Sequence, residues 1–372
     1  MKFSISRNDF YKTLQKVINV IPAKSTSDIL YNVLLIAENG RLQIVATDLE
    51  ITQVAWVKCK VEEDGAIVLL GKLLTDIIRE MPEINLTFTA DVNHKVIIES
   101  KVGEYKLSGQ SRNEFPSVPI VESEQNISME NVQLKRMIEK TLFACSTDSL
   151  RPGLTGVYTQ IMESEFRMVS TDGHRLVKII NENFSSPDFM LNLIIPAKAL
   201  NFVGRNLPDK GSQKITFSKN HILFELPDTN IYSRIIEDPY PDYERVIPVE
   251  LNKEIAVNKN DFMASVRRVS LFSNPVTAQI RLNVTRDKIV IYAQDIDFGG
   301  EANEELVCQY HSDEALEISY NANFLLDILR HLDTDTVYIR LEDADGPGLI
   351  FPDEQNENEN LLMLLMPIRL NN

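Results

Sequence analysis

The chain of 372 residues is 44% hydrophobic and carries a net charge of −16, which fits a packed globular protein of two or three domains. No run of about 18 apolar residues is available to cross a membrane, and the opening MKFSISRNDF lacks an apolar signal core, so a soluble, cytoplasmic protein is expected. Cys59, Cys145 and Cys308 form no CxxC pair and the histidines no HExxH spacing, so the expectation is buried structural thiols, no disulfide framework, no metal and no cofactor.

Taken in chain order, the elements repeat three times. ISRNDFYKTLQKVI from Ile5, ISMENVQLKRMIEKTL from Ile127 and AVNKNDFMASVRRVSLF from Ala256 each pass from an extended segment through an Asn/Asp/Glu capping cluster into apolar residues at helical spacing. Phe10, Leu14, Val17 and Ile18 share one face of the first helix. Leu134, Met137, Ile138 and Leu142 do so in the second, and Phe262, Val266 and Val269 in the third.

A hairpin-like passage follows each helix. NVLLIAENGRLQIVATDLEI turns at Asn39-Gly40, a strong hairpin signal, and its counterparts are GVYTQIMESEFRMVSTDGHRL and IRLNVTRDKIVIYAQDID. Thr47-Asp48 returns 124 positions later as Thr171-Asp172 and 123 further on as Gln294-Asp295. Second helices are predicted over Gly71–Met81, Pro196–Leu207 and Asn321–Leu332. Strands such as KVIIES, YKLSG, KITFS, HILFEL and VYIRLED complete each copy, and EFPSVPI, PYPDYERVIP and LLMPIRL end the three copies. The reading is an α+β protein with mainly antiparallel sheets, in three domains at 1–122, 123–249 and 250–372.

Charge is unevenly spread over this plan. The six helical segments sum to +6, which leaves −22 for the rest of a chain whose total is −16. Lys12, Lys16, Lys135, Arg136, Lys140, Arg267 and Arg268 fall off the apolar stripes of the first helices, so they are expected on a shared exposed surface facing a polyanion. With no helix-turn-helix, zinc-finger or aromatic RNA-binding signature, such a surface would contact phosphates without reading sequence.

Catalytic signatures are sparse. There is no GxxxxGK[ST], GxGxxG or GxSxG motif. EDADGPG from Glu342 departs from a calcium loop because its Gly comes early and no Glu follows at the required distance. DEQNENEN from Asp353 reads as a solvated loop. The crowding of Thr171, Asp172, His174 and Arg175 in VSTDGHRLVK leaves two readings open. One is a hydrolase with Asp172 and His174 as base and orienter; the other is a binding pocket raised on a structural corner, since ATDLE and AQDID keep the acid but lack the His and Arg. A peptide-binding scaffold that forms no ring is a third option.

The threefold repeat, the basic helices and the segments MKFSISR, ATDLE, RPGLTG, STDGHRL, PYPDYERVIP, RRVSLFSN and LLMPIRL together resemble the bacterial sliding-clamp family, the beta subunits of DNA polymerase III. That resemblance implies a non-catalytic processivity factor. Its head-to-tail homodimeric ring would carry antiparallel sheets outside and helices lining a hole around duplex DNA. It also implies docking of the polymerase III alpha subunit, the clamp loader complex, and other polymerases and repair proteins through short peptides.

Carried over position by position, the resemblance assigns Lys24, Lys72, Arg151 and Lys198 to DNA. Pro152 and Gly153 stand after Arg151 where some relatives have aromatic residues. Tyr105 and Leu107, with Leu271 and Phe272, match the pairs that close the ring. Leu154, Thr171, Gly173, His174, Arg175 and Leu176 match one wall of a peptide pocket. Pro241, Arg245, Val246, Leu364, Met366, Pro367 and Arg369 match the other.

Overall fold

Several helices begin where the sequence supplies a cap. In the computed structural model, which describes residues 1–123, 125–185, 188–296, 299–312 and 314–369, the Ser6 hydroxyl accepts from the Asp9 amide and opens α1 (Arg7–Ile18). Five more helices follow: α2 (Gly71–Glu80), α3 (Asn131–Leu142), α4 (Ala197–Asn206), α5 (Lys259–Val269) and α6 (Ala322–Arg330). Asn258 caps α5 and Asn321 caps α6 through their side-chain oxygens. All six lie within a few residues of the predicted segments. Asp297, the last residue of AQDID, and Leu370, the last of LLMPIRL, lie outside the described residues.

The Asn39-Gly40 prediction is met by a two-residue loop between the strands Asn32–Glu38 and Arg41–Thr47. Both loop residues have positive φ, 50° and 71°, as a turn that matches strand twist requires. Every paired strand is antiparallel, which agrees with the α+β reading.

The chain divides into two compact units, Met1–Lys135 with Lys198–Ile235, and Arg136–Ala197 with Ile236–Asn372. The first unit holds a five-stranded sheet in the order Lys60–Glu63, Lys2–Ser6, Asn85–Ala90, Lys95–Ser100, Gly103–Ser108. Helix α1 closes over it: Phe3 and Phe88 stack at 4.8 Å, and Phe10 meets them edge-on at 6.1 and 6.4 Å. An eight-stranded sheet in the same unit joins Ile51–Lys58, from the first third of the sequence, to Thr229–Arg234, from the middle third. The second unit is built on one twelve-stranded sheet. Within it a seven-residue ladder from Arg175↔Leu365 to Asn181↔Glu359 joins the middle third to the last.

The apolar stripes are buried as expected, with Phe10, Leu14 and Val17 at 0% exposure and Phe262, Val266 and Val269 likewise. Among the described residues no helix is long and apolar enough to cross a membrane.

Candidate functional site

The Thr-Asp pair builds the same corner twice. In the first copy, the Thr47 hydroxyl donates to the Ile51 carbonyl at 3.1 Å and accepts from the Leu49 amide at 3.0 Å. The Asp48 carboxylate accepts from the Glu50 and Ile51 amides at 3.1 and 2.7 Å. In the middle copy, Thr171 donates to the Arg175 carbonyl at 2.6 Å and accepts from the Gly173 amide at 3.1 Å, while Asp172 accepts from the His174 and Arg175 amides at 2.9 and 3.0 Å. These are local side-chain-to-backbone bonds of the kind Thr and Asp supply at turns. Asp172 is therefore spent on the corner, and the imidazole of His174 stacks on Phe324 at 5.6 Å. No base and nucleophile pair forms there among the described residues, and the hydrolase reading has no geometry to stand on.

Arg175 is 8% exposed and faces inward. Its Nε donates to Asp172 at 3.0 Å, Nη1 to Asp327 at 2.8 Å and Nη2 to the Phe143 carbonyl at 2.6 Å. The guanidinium also lies over the rings of Phe324 and Phe143, at 4.7 and 5.2 Å. Each of its three nitrogens donates to a partner within the fold, so Arg175 orients its neighbours. Thr171 is committed in the same way.

The remaining pocket positions come from four segments. Leu176 pairs across the ladder with Leu364, and both lie in a buried cluster with Val169, Tyr243, Leu349 and Leu362. The Met366 amide donates to the His174 carbonyl at 2.8 Å, which ties the end of the last strand to the corner. Leu154 is buried in a short 3-10 turn, Pro152–Thr155, which is held by the Gly153 amide donating to Asp238 at 2.8 Å. Val246 and Met366 are exposed at 49% and 38%, Pro241 and Arg369 are exposed, and Pro367 is half-buried. Arg245 is exposed and pairs with Asp242 at 2.7 Å. The arrangement is a buried apolar floor with exposed apolar side chains beside it.

Sequence reasoning missed the aromatic packing of this region. Tyr158 and Tyr240 stack at 4.7 Å, and the Tyr243 hydroxyl donates to Gln160 at 2.6 Å while accepting from Arg167 at 2.7 Å. Burial pushes the Tyr243 phenol up to about 12, against the opposing pull of Arg167. The tyrosine spacing of PYPDYERV was the available signal.

The basic residues divide into free and committed. Lys24 and Lys72 are exposed with no ion pair among the described residues, whereas Arg151 pairs with Asp148 at 3.1 Å and Lys198 with Asp48. The expectation that all first-helix cations share an exposed surface is corrected. Lys140 is 5% exposed and bonded to Asp333 and to the His331 carbonyl. Arg136 takes Glu359 in a bidentate pair at 2.6 and 2.7 Å and Asp333 at 2.6 Å, while Arg268 pairs with Glu304 and Lys16 with Asp228. DEQNENEN is likewise not wholly solvated, since Glu359 is 8% exposed beneath Arg136. Burial alone would raise the Asp333 carboxyl, but Lys140 and Arg136 outweigh it and hold the group below the usual range. Glu304 falls to about 2, chiefly through Arg268 and then through the Ser265 hydroxyl.

Tyr105 and Leu107 lie on Gly103–Ser108, the last strand of the five-stranded sheet, directly across from Ile98 and Val96. They extend the core face of that sheet to its open edge. Leu271 and Phe272 follow α5 and are exposed at 81% and 44%. Cys308 is buried, but Cys59 and Cys145 are only partly so. Burial pushes these thiols up to about 11 for Cys59 and Cys308 and about 12 for Cys145, which keeps them protonated. No cluster of metal-ligating side chains occurs among the described residues.

The DNA polymerase III beta subunit family matches in three parts: its N-terminal domain over residues 1–119, its central domain over 128–242 and its C-terminal domain over 244–369. A beta sliding clamp of Chlamydia muridarum is 29% identical over 370 residues, covering 100% of this chain and 99% of that protein. One from Pseudomonas putida is 29% identical over 372 residues and is covered in full. Among solved structures, a sliding clamp from Bartonella birtlesii bound to griselimycin superposes with a TM-score of 0.95 at 32% identity, covering 100% of both chains. A Pseudomonas aeruginosa clamp, also bound to griselimycin, gives 0.93 at 28% identity over all of both chains.

Proposed function

The chain belongs to the DNA polymerase III beta subunit family and is a non-catalytic DNA sliding clamp, and from that premise we propose that two copies close head to tail into a ring around duplex DNA. The repeating bodies of the ring are the domains 1–122, 123–249 and 250–372, and it works in the cytoplasm. The observation that carries the reading is a pair of incomplete sheet edges. Gly103–Ser108 is bonded on one side alone, with Tyr105 and Leu107 extending its core face. Gly300–Tyr310 is bonded along 300–307 to Lys288–Asp295, whereas on its other side the pairing covers Cys308, Gln309 and Tyr310. An open edge carries unsatisfied amides and carbonyls that a strand of a second chain completes. Two different patches of one chain make a heterologous contact, and with two chains that contact closes.

Lys24 and Lys72 supply free positive charge for phosphates, and Arg151 and Lys198 join them when a phosphate competes with Asp148 and Asp48. Contact of this kind reads no sequence, so the ring slides, and closure rather than affinity keeps it on DNA. The pocket around Leu154, Leu176, Leu364, Val246 and Met366 docks short, partly hydrophobic peptides. These come from the polymerase III alpha subunit, the clamp loader, and other polymerases and repair proteins. Thr171, Gly173, Arg175, Pro241, Arg245, Pro367 and Arg369 shape its rim, with His174, Arg245 and Arg369 as exposed polar groups.

Gel filtration with light scattering should give about 85 kDa, twice the chain mass of 42.4 kDa. The protein loaded on closed circular DNA should be retained and should run off once the DNA is cut. Leu271→Asp with Phe272→Asp should yield a folded monomer that no longer stays on circles. A wild-type monomer indifferent to DNA topology would overturn the proposal.

A further inference from the structure

The offset that relates Thr47 to Thr171 also relates the strands that flank them, and it exposes a difference. Over the middle-third strands the space is filled by Tyr158, Tyr240 and Tyr243, with ring centroids 4.7, 6.2 and 6.4 Å apart. In the first third, aligning EFPSVPI with PYPDYERVIP on Pro116 and Pro241 puts Leu34, Phe115 and Val118 at those positions. Smaller side chains leave the space open. The result is a groove of about 910 Å³ inside the first compact unit, floored by Leu34, Val54, Trp56 and Phe115.

Part of its polar lining is unspent, although the Asn230 amide donates to the Tyr232 hydroxyl at 3.4 Å. The guanidinium groups of Arg41 and Arg112 make no ion pair or hydrogen bond among the described residues, although the chain carries 54 acidic residues. The side-chain amides of Gln43 and Asn113 have no partner there either. Glu38 is the acid in the lining, so two cations face one anion.

We propose that this groove docks a short, extended acidic peptide of a partner protein, separately from the pocket of the middle and last thirds. An aliphatic or aromatic anchor covers Trp56 and Phe115, flanking carboxylates pair with Arg41 and Arg112, and the amides of Gln43 and Asn113 bond the peptide backbone. Charge complementarity selects this occupant: a basic peptide would leave both guanidinium groups opposed by like charge.

Trp56 is the one tryptophan of the chain, so its emission reports the groove directly. Full-length protein is titrated with acetylated hexapeptide amides, Asp-Asp-X-Phe-Asp-Asp with X as Leu, Ile, Val or Met, and with matching peptides in which Lys replaces Asp. The expected result is a saturable emission change for acidic members that weakens about tenfold in Arg41→Glu with Arg112→Glu. It should survive Met366→Ala. A filling variant, Leu34→Tyr with Val118→Tyr, should lose the response while keeping an unchanged circular dichroism spectrum. The proposal is overturned by no saturable response, by an equal response to the Lys peptides, by loss of the response in Met366→Ala, or by a larger response to oligo-dT than to any peptide.

Discussion

The corners Thr47–Ile51 and Thr171–Arg175 share the same backbone hydrogen bonds but end in buried residues of opposite polarity. Ile51 is 1% exposed and Arg175 8%. Burying Ile51 stabilises the fold by about 1.5–3 kcal/mol through apolar transfer alone. Arg175 gains little that way; its burial is tolerated because Asp172, Asp327 and the Phe143 carbonyl satisfy its donors. A turn written by Thr and Asp thus fixes the geometry, and the residue four positions after the Thr decides whether the corner closes on an apolar core or on an ionic hub.

The largest expected effect breaks the hub. Arg175→Met leaves Asp172 without its cation and Asp327 with Arg330 alone, and should cost about 3–5 kcal/mol in urea unfolding. Ile51→Val at the matching position should cost about 0.5–1.5 kcal/mol. Equal losses would mean that the two corners are energetically alike and that the hub contributes nothing of its own.

A second contrast lies two residues further on, where the first copy has Gln53 and the middle copy has Val177 at the matching position, both at 0% exposure. Neither polar atom of the Gln53 side chain has a partner. Gln53→Met keeps the length and removes the orphaned amide, so it should raise stability by about 1–2 kcal/mol. A loss on the same urea assay would show that the amide is satisfied after all.

How much of this was legible in the sequence follows from how local each feature is. The helices, the Asn39-Gly40 turn and the Thr-Asp corner were readable because their determinants lie within a few residues of one another. The neutralisation of Arg136 was not, since its partner Glu359 lies 223 positions away at the start of a strand, in a stretch that composition assigned to a solvated loop. The same distance hid the burial of Lys140 and the pairings of Lys16 with Asp228 and Lys198 with Asp48. Counting helix charges therefore overstated the free cations. The repeat was plain, but the joining of strands from different thirds into single sheets was not, because no local pattern encodes which edge meets which. At the pocket, a resemblance named Arg175 and left its direction undetermined; the inward rotamer depends on Asp327 and Phe324, from a distant helix.

The smallest contrast concerns the third residue of each corner. Leu49 has φ 76° and Gly173 φ 91°, so both sit in left-handed backbone, which costs a residue with a Cβ about 1–2 kcal/mol. Leu49→Gly relieves that cost but adds about 0.5–1 kcal/mol of unfolded-chain freedom, so the net gain should be about 0.5 kcal/mol. Gly173→Ala should go the other way by about 1 kcal/mol, with its new Cβ 3.4 Å from the Arg151 guanidinium. Opposite signs at two positions with matching φ would tie both effects to one backbone. If the two variants shifted the unfolding midpoint in the same direction, neighbouring side chains and not the turn would govern the corner.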